Sequence, residues 1–187
     1  MTTDPWEPTL DGALLHLRPL AQADFEALYA AANDPDLWAA HPFPDRWRAP
    51  EFRKFFVEIM ATGGAMAIVD RLSGALIGSS TFHSYKPKSA QVEIGKTFLR
   101  RSHWGGVFNS ELKRLMLTHA FRHVDRVVFR IADTNVRSRR ACEKIGGRLT
   151  ERIEFIDGPK GPIPFLVYQI DKSDFQTQWA ETSPTAP

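Results

Sequence analysis

In the stretch HWGGVFNSELKRLML (residues 103–117) two adjacent glycines separate an apolar run that reads as a strand, VEIGKTFL (92–99), from a run with helical spacing. That junction constrains the chain more than any other. A strand that enters a helix through glycines turns sharply, and the first N–H groups of the helix, which have no intrahelical partner, point outward together. With the positive end of the helix dipole behind them they suit an anion. Taken alone, the same residues also read as a turn that only reverses the chain.

The flanking segments supply the context. ALLHLRPL (13–20) predicts a strand ending near Pro19 with Arg18 at its exit. AQADFEALYAAAND places Phe25, Leu28 and Tyr29 at helical spacing, and the proline-rich LWAAHPFPDRWRAP that follows predicts a loop with an aromatic lining. Pro50 then opens a helix whose stripe is Phe52, Phe55, Phe56 and Ile59. AMAIVDRLSGALIGSSTF reads as a hairpin, and SAQVEIGKTFL supplies the strand before the glycines. The helix after them buries Leu112, Leu115, Met116 and Ala120 and turns Lys113 and Arg114 to water. DRVVFRIAD predicts a buried strand, NVRSRRACEKIGG a short helix closed by paired glycines, and RLTERIEFIDGPKGPIPFLVYQID two strands joined by a Gly/Pro turn. Strands outnumber helices, so the expected fold is α/β of the α+β kind, a mixed central sheet of six to seven strands with about four helices.

The 187 residues suit a single domain over 1–187, with a core near 11–172 and a flexible tail at 181–187. Lys and Arg total 24 against 22 Asp and Glu, a net charge of +2 that gives no reason to expect nucleic acid. The lone cysteine, Cys142, excludes an internal disulfide and points to a reducing cytoplasm. MTTDPWEPTLDG has no apolar core, so no secretory signal is expected, and no run approaches the ~20 apolar residues of a membrane span. No spaced set of His, Cys or carboxylates predicts a metal site.

LHLRPLAQADFEAL, GALIGSSTF, VEIGKTFL, HWGGVFNSELKRLML and NVRSRRACEKIGGRL together resemble the GNAT superfamily of acetyl-coenzyme A-dependent N-acetyltransferases, in the branch that includes ribosomal-protein N-terminal acetyltransferases. The resemblance covers about residues 11–172. It implies a splayed sheet, acetyl-CoA as the acyl donor, and a primary amine as acceptor, either a peptide N-terminus or a small molecule. A homodimer is admitted as an assembly. It further implies that the loop of Trp104, Gly105, Gly106, Val107, Phe108, Asn109 and Ser110 holds the pyrophosphate of coenzyme A. The loop departs from the family pattern, which has small residues two apart where this chain has Val107 and Asn109. Phe98, Leu99 and Arg100 end the strand whose free backbone groups, by the same resemblance, pair with the pantetheine amides. Asn135 is implied to contact the pantetheine arm, although an N-cap role is sufficient for it. Arg101 and Arg140 are candidates for the phosphates, or else solvated surface groups.

Acetyl transfer needs a neutral amine and hence a proton acceptor. Glu93, in VEIG, occupies the place of the family's glutamate base; on a half-buried strand its pKa is raised, whereas on the solvent face it is an ordinary surface charge. The tyrosine that many GNAT enzymes use as acid corresponds to Cys142, a poor acid for a thiolate and more naturally a packing residue. By family topology His41, Phe43, Trp47 and His83 line the acceptor side. A lone histidine among aromatics is more often scaffolding than base. The altered loop and the missing tyrosine leave open a GNAT-fold protein that binds coenzyme A without catalysis.

Overall fold

A computed structural model describes residues 4–180. Eight strands form one sheet in the order β1-β2-β3-β4-β5-β6-β8-β7. They are β1 (Leu10–Asp11), β2 (Leu15–Pro19), β3 (Ala65–Asp70), β4 (Leu76–Lys86), β5 (Gln91–Leu99), β6 (Arg126–Ala132), β7 (Arg148–Gly158) and β8 (Gly161–Asp171). All neighbours run antiparallel except β5 and β6. The helices are α1 (Phe25–Ala32), α2 (Pro35–Trp38), α3 (Ala49–Met60), α4 (Val107–Ala120), α5 (Val136–Lys144) and α6 (Lys172–Ala180).

The sheet separates two apolar layers. Leu28, Ala31, Trp38, Phe52, Phe55, Phe56 and Ile59 from α1, α2 and α3 pack with Phe98 on one face. On the other, Leu112, Met116, Leu117 and Ala120 of α4 pack with Cys142 of α5, Phe175 of α6 and the strand residues Val92, Ile94, Val127 and Phe129. Removal of these large side chains from water is the dominant favourable term in folding.

The mixed fold agrees with the sequence, with one more strand and two more helices than expected. β1 is two residues long, too short to leave a pattern. α2 lies where a loop was expected: Pro35 presets the first turn and Asp34 caps it, accepting from the Asp36 N–H at 3.0 Å. The expected tail at 181–187 lies outside the described residues.

α4 departs from its expected facing. Leu115 is only half-buried, and Lys113 is buried instead of turned to water. Residues 112, 113, 116, 117 and 120 make one inward stripe, so Lys113 belongs to it by position. Glu111 is buried too. Its carboxylate accepts three backbone N–H groups, from Ala13, Leu14 and Leu15, each at 2.8 Å, and so fastens α4 to the start of β2. Glu111→Ala strips all three donors of their partner. Denaturant unfolding is expected to show a loss of about 3 kcal/mol, the range for buried charge-assisted hydrogen bonds. A loss under about 1 kcal/mol would mean that water replaces the carboxylate.

Candidate active site

β5 and β6 pair through only three positions, Gln91 with Arg126, Val92 with Val127 and Glu93 with Val128. Beyond Glu93 each strand keeps its other neighbour, β5 with β4 as far as Leu99 and β6 with β8 as far as Ala132. The two inner edges therefore part at Ile94, several residues before Phe98, Leu99 and Arg100, where the resemblance put the pantetheine contacts. The cleft between them is part of a cavity of about 2010 Å³ lined by 94–99 on one side and 129–132 on the other. That exceeds the ~300–1,000 Å³ usual for a drug-sized ligand. Past Glu93 the two edges no longer serve each other as ladder partners, which leaves an opening where an extended ligand can pair.

One end of the cavity is the glycine turn. Gly105 and Gly106 have φ of 106° and 120°, values that L side chains rarely adopt, and they deliver the chain into α4 with Gly106 as its N-cap. No side chain caps this helix. Gly105, Gly106, Val107, Asn109 and Ser110 line the cavity, whereas Phe108 packs inward on His103 with ring centroids 4.8 Å apart. The Trp104 indole N–H donates to the Leu99 carbonyl at 2.8 Å, and the Arg137 guanidinium of α5 lies 3.7 Å over its ring. These contacts join strand, turn and α5 around the mouth.

At the fork stands Glu93, 6% exposed and lining the cavity. Its Oε2 accepts from Arg130 Nε at 2.7 Å, and Arg130 also donates to Glu154 at 3.0 Å. Burial raises the Glu93 pKa against the opposing pull of Arg130. Oε1 faces His83 Nε2 at 3.5 Å, without a hydrogen bond. Gly95 makes room for this pair, since a Cβ there would sit 2.7 Å from His83 Nε2. The cleft also bends beside Glu93: Lys96, at φ 50°, and Thr97 together oppose Ser80 in a β-bulge.

Both histidines are neutral near pH 7. Burial, with Arg46 and other cations adding to it, lowers His41 to about 3, and burial with Lys96 and Arg130 nearby lowers His83 to about 4. Phe43 N–H donates to His41 Nδ1 at 3.0 Å, and Arg46 lies 4.2 Å over Phe55 and 4.8 Å over Phe43. His41, Phe43 and His83 line the cavity, while Trp47 is not among its lining residues and stacks with Arg48.

A family model for the acetyltransferase (GNAT) domain matches residues 15–148. The chain belongs to the GNAT acetyltransferase family. Solved structures show the same fold. A GCN5-related N-acetyltransferase from Brucella melitensis superposes with a TM-score of 0.81 at 20% identity, covering 95% of this chain and 86% of that one. An acetyltransferase from Agrobacterium tumefaciens str. C58 gives 0.66 at 26% identity, over 88% and 95%. Spermidine N-acetyltransferase from Vibrio cholerae, solved in complex with CoA and spermine, gives 0.66 at 16%, over 88% and 99%.

The remaining expected residues of this GNAT chain divide by position. Asn135 is buried, lines the cavity and caps α5, accepting from the Ser138 N–H at 3.2 Å. Arg140 lines the cavity; Arg100 and Arg101 are absent from its lining. The Arg101 guanidinium is taken up by Asp34 at 2.5 Å and Asp36 at 3.1 Å, acids that are distant in sequence and so were invisible as partners. Arg130, Arg137 and Lys113 are among the cavity-lining cations that sequence reasoning missed. Lys113 alone left a signal, a charge inside an apolar stripe.

Cys142 is buried at the cavity wall, its Sγ so placed that a Cβ on Gly147 would stand 2.4 Å away. Burial pushes the thiol up to about 12, so near neutral pH it is a packing group. Cys142→Ala is expected to keep most activity and to lose about 1 kcal/mol to a small cavity, read by turnover and thermal melting. A trapped acetyl-thioester on Cys142 would overturn this.

Proposed function

We propose that this GNAT protein, acting as a single domain, transfers the acetyl group of acetyl-CoA directly to a primary amine, a peptide N-terminus or a small amine, in a ternary complex. The observation that carries the reading is one continuous cavity joining the α4 N-terminus, the splayed strand edges and the buried carboxylate of Glu93. Each part suits one requirement. Backbone N–H groups and the helix dipole at Gly105–Ser110 favour the pyrophosphate, with Arg140 and Arg137 beside them. The edge of β5 between Ile94 and Leu99 suits the pantetheine amides, and Asn135 lines the cavity from the opposite side, just past the end of β6.

Glu93 then takes the amine proton, directly or through an ordered water, through Oε1, because Oε2 is committed to Arg130. The neutral nitrogen attacks the thioester carbonyl, the C–N bond forms, and the C–S bond breaks with its electron pair on sulfur. Of the residues expected on the acceptor side, His41, Phe43 and His83 line the cavity, where the neutral histidines shape the wall, and Trp47 is left out of it. The spermine bound to the Vibrio cholerae relative makes polyamines one class to test.

Release of thiol from acetyl-CoA across a panel of N-terminal peptides, polyamines and aryl amines, with mass spectrometry of the products, tests the reading. An acetylated amine formed at the rate of thiol release supports it. The missing tyrosine at Cys142 motivates a second reading, a coenzyme A-binding module without catalysis; coenzyme A binding with no turnover on any acceptor would favour that instead.

A further inference from the structure

Lys113 is the residue that the cleft leaves unexplained. It is 8% exposed, on the inner face of α4, and lines the cavity. Its Nζ donates to Thr97 Oγ1 at 2.9 Å, within the bulge of β5, and lies 5.5 Å from the Phe129 ring centroid. Among the described residues no carboxylate forms an ion pair with it, although every other buried or half-buried cation of the cleft wall near Glu93 has one: Arg130 with Glu93 and Glu154, Arg46 and Lys96 with Glu58. The ionisable group acting on it most directly is the Cys142 thiol from α5, which is itself protonated near pH 7. An ammonium withdrawn from water without a counter-anion is unfavourable, and replacing such a charge by an apolar side chain is commonly neutral or stabilising. Its position therefore suits a site where an anion arrives.

Of the negative charge that acetyl transfer builds in the cleft, first on the carbonyl oxygen and then on sulfur, the part that departs is the thiolate. We propose that Lys113 is the acid of the reaction, its ammonium hydrogen-bonding the departing sulfur and handing it a proton. The inference rests on the acetyl-transfer reading above. In balance, the C–S bond breaks with both electrons on sulfur, Nζ gives up one proton to form the S–H of coenzyme A, and the amine's proton leaves through Glu93; solvent then returns a proton to Nζ. Competing donors are committed elsewhere. Cys142 holds its proton too tightly, and the Tyr168 hydroxyl is bound between Arg139 at 3.1 Å and Glu143 at 3.0 Å. Burial lowers the Lys113 ammonium to about 8, into the range of an ordinary thiol at ~8.5.

The test titrates the thiol of coenzyme A itself on the protein by the ultraviolet absorbance of its thiolate, in wild type, Lys113→Met and Lys113→Arg. With Lys113 present the bound thiol should ionise about one pH unit below its free value, the effect of a nearby cation. With Met it should ionise at or above the free value, and with Arg it should stay depressed. Turnover of Lys113→Met should fall roughly 10²-fold with little change in KM for acetyl-CoA, while its melting temperature is unchanged or higher. A merely structural lysine would lower the melting temperature and leave the thiol alone. Equal thiol titration in wild type and Lys113→Met overturns the inference by itself; failure of the wild-type protein to bind coenzyme A overturns the acetyl-transfer reading and the inference together. Should Lys113→Met not fold, Thr97→Val decides on the same titration: without the hydroxyl that orients Nζ the bound thiol should move part of the way toward its free value, and no movement counts against Lys113.

Discussion

Glu93→Gln should separate binding from chemistry. The amide keeps the shape of the carboxylate and its place beside Arg130, which retains Glu154 as a partner. Coenzyme A affinity is expected to hold while turnover at neutral pH falls by roughly 10²–10⁴, the usual contribution of a general base. The deficit has a direction in pH. Below the pKa of the acceptor amine most of it arrives protonated and must lose its proton inside the site, so the deficit is largest there. As pH rises toward the ~10 of an alkyl amine, more arrives neutral and the deficit shrinks. Turnover against pH for both forms checks this, and a variant within a few-fold of wild type throughout would place the base elsewhere.

Gly106→Glu should act on binding instead. A Cβ at Gly106 meets no atom within 4 Å, so the added side chain has room and the fold is expected to persist. Its carboxylate then stands beside the α4 N-terminus, in the place assigned to the pyrophosphate. Like charges brought together in a binding site cost several kcal/mol, and affinity for coenzyme A should fall by roughly 10²–10³ in calorimetry. Because φ is 120° there, any side chain strains the turn, and Gly106→Ala measures that share alone. Affinity unchanged in the glutamate variant would remove the assignment of this loop.

What the sequence shows and what it hides follow from the range of the interactions. The apolar stripe of α3, that of α4 apart from Lys113 and Leu115, the hairpin of β3 and β4 and the glycine turn are local patterns, and they were legible. Glu93 was legible as a candidate but not in its facing, because alternation along VEIGKTFL permits either face and only the Arg130 pair and the Gly95 gap show which one was taken. Arg101 looked available for phosphate until Asp34 and Asp36 came to it from 67 and 65 positions away. α2 was hidden by Pro35, since a proline opens a helix as readily as it ends one. Glu111 gave no signal, since its partners are backbone amides of another segment.

The three paired positions between β5 and β6 have a mechanical consequence. An open seam in a sheet has a tip, and here the tip is the Glu93–Val128 rung. On one side of it five strands cohere as a leaf, on the other side three. A guest that bridges both bare edges works as added stitching, so its affinity enters the cohesion of the leaves and raises resistance to unfolding as RT ln(1 + [L]/Kd). A guest that leaves either edge takes its share of the stitching with it, so the two leaves are least firmly joined when the cleft is empty.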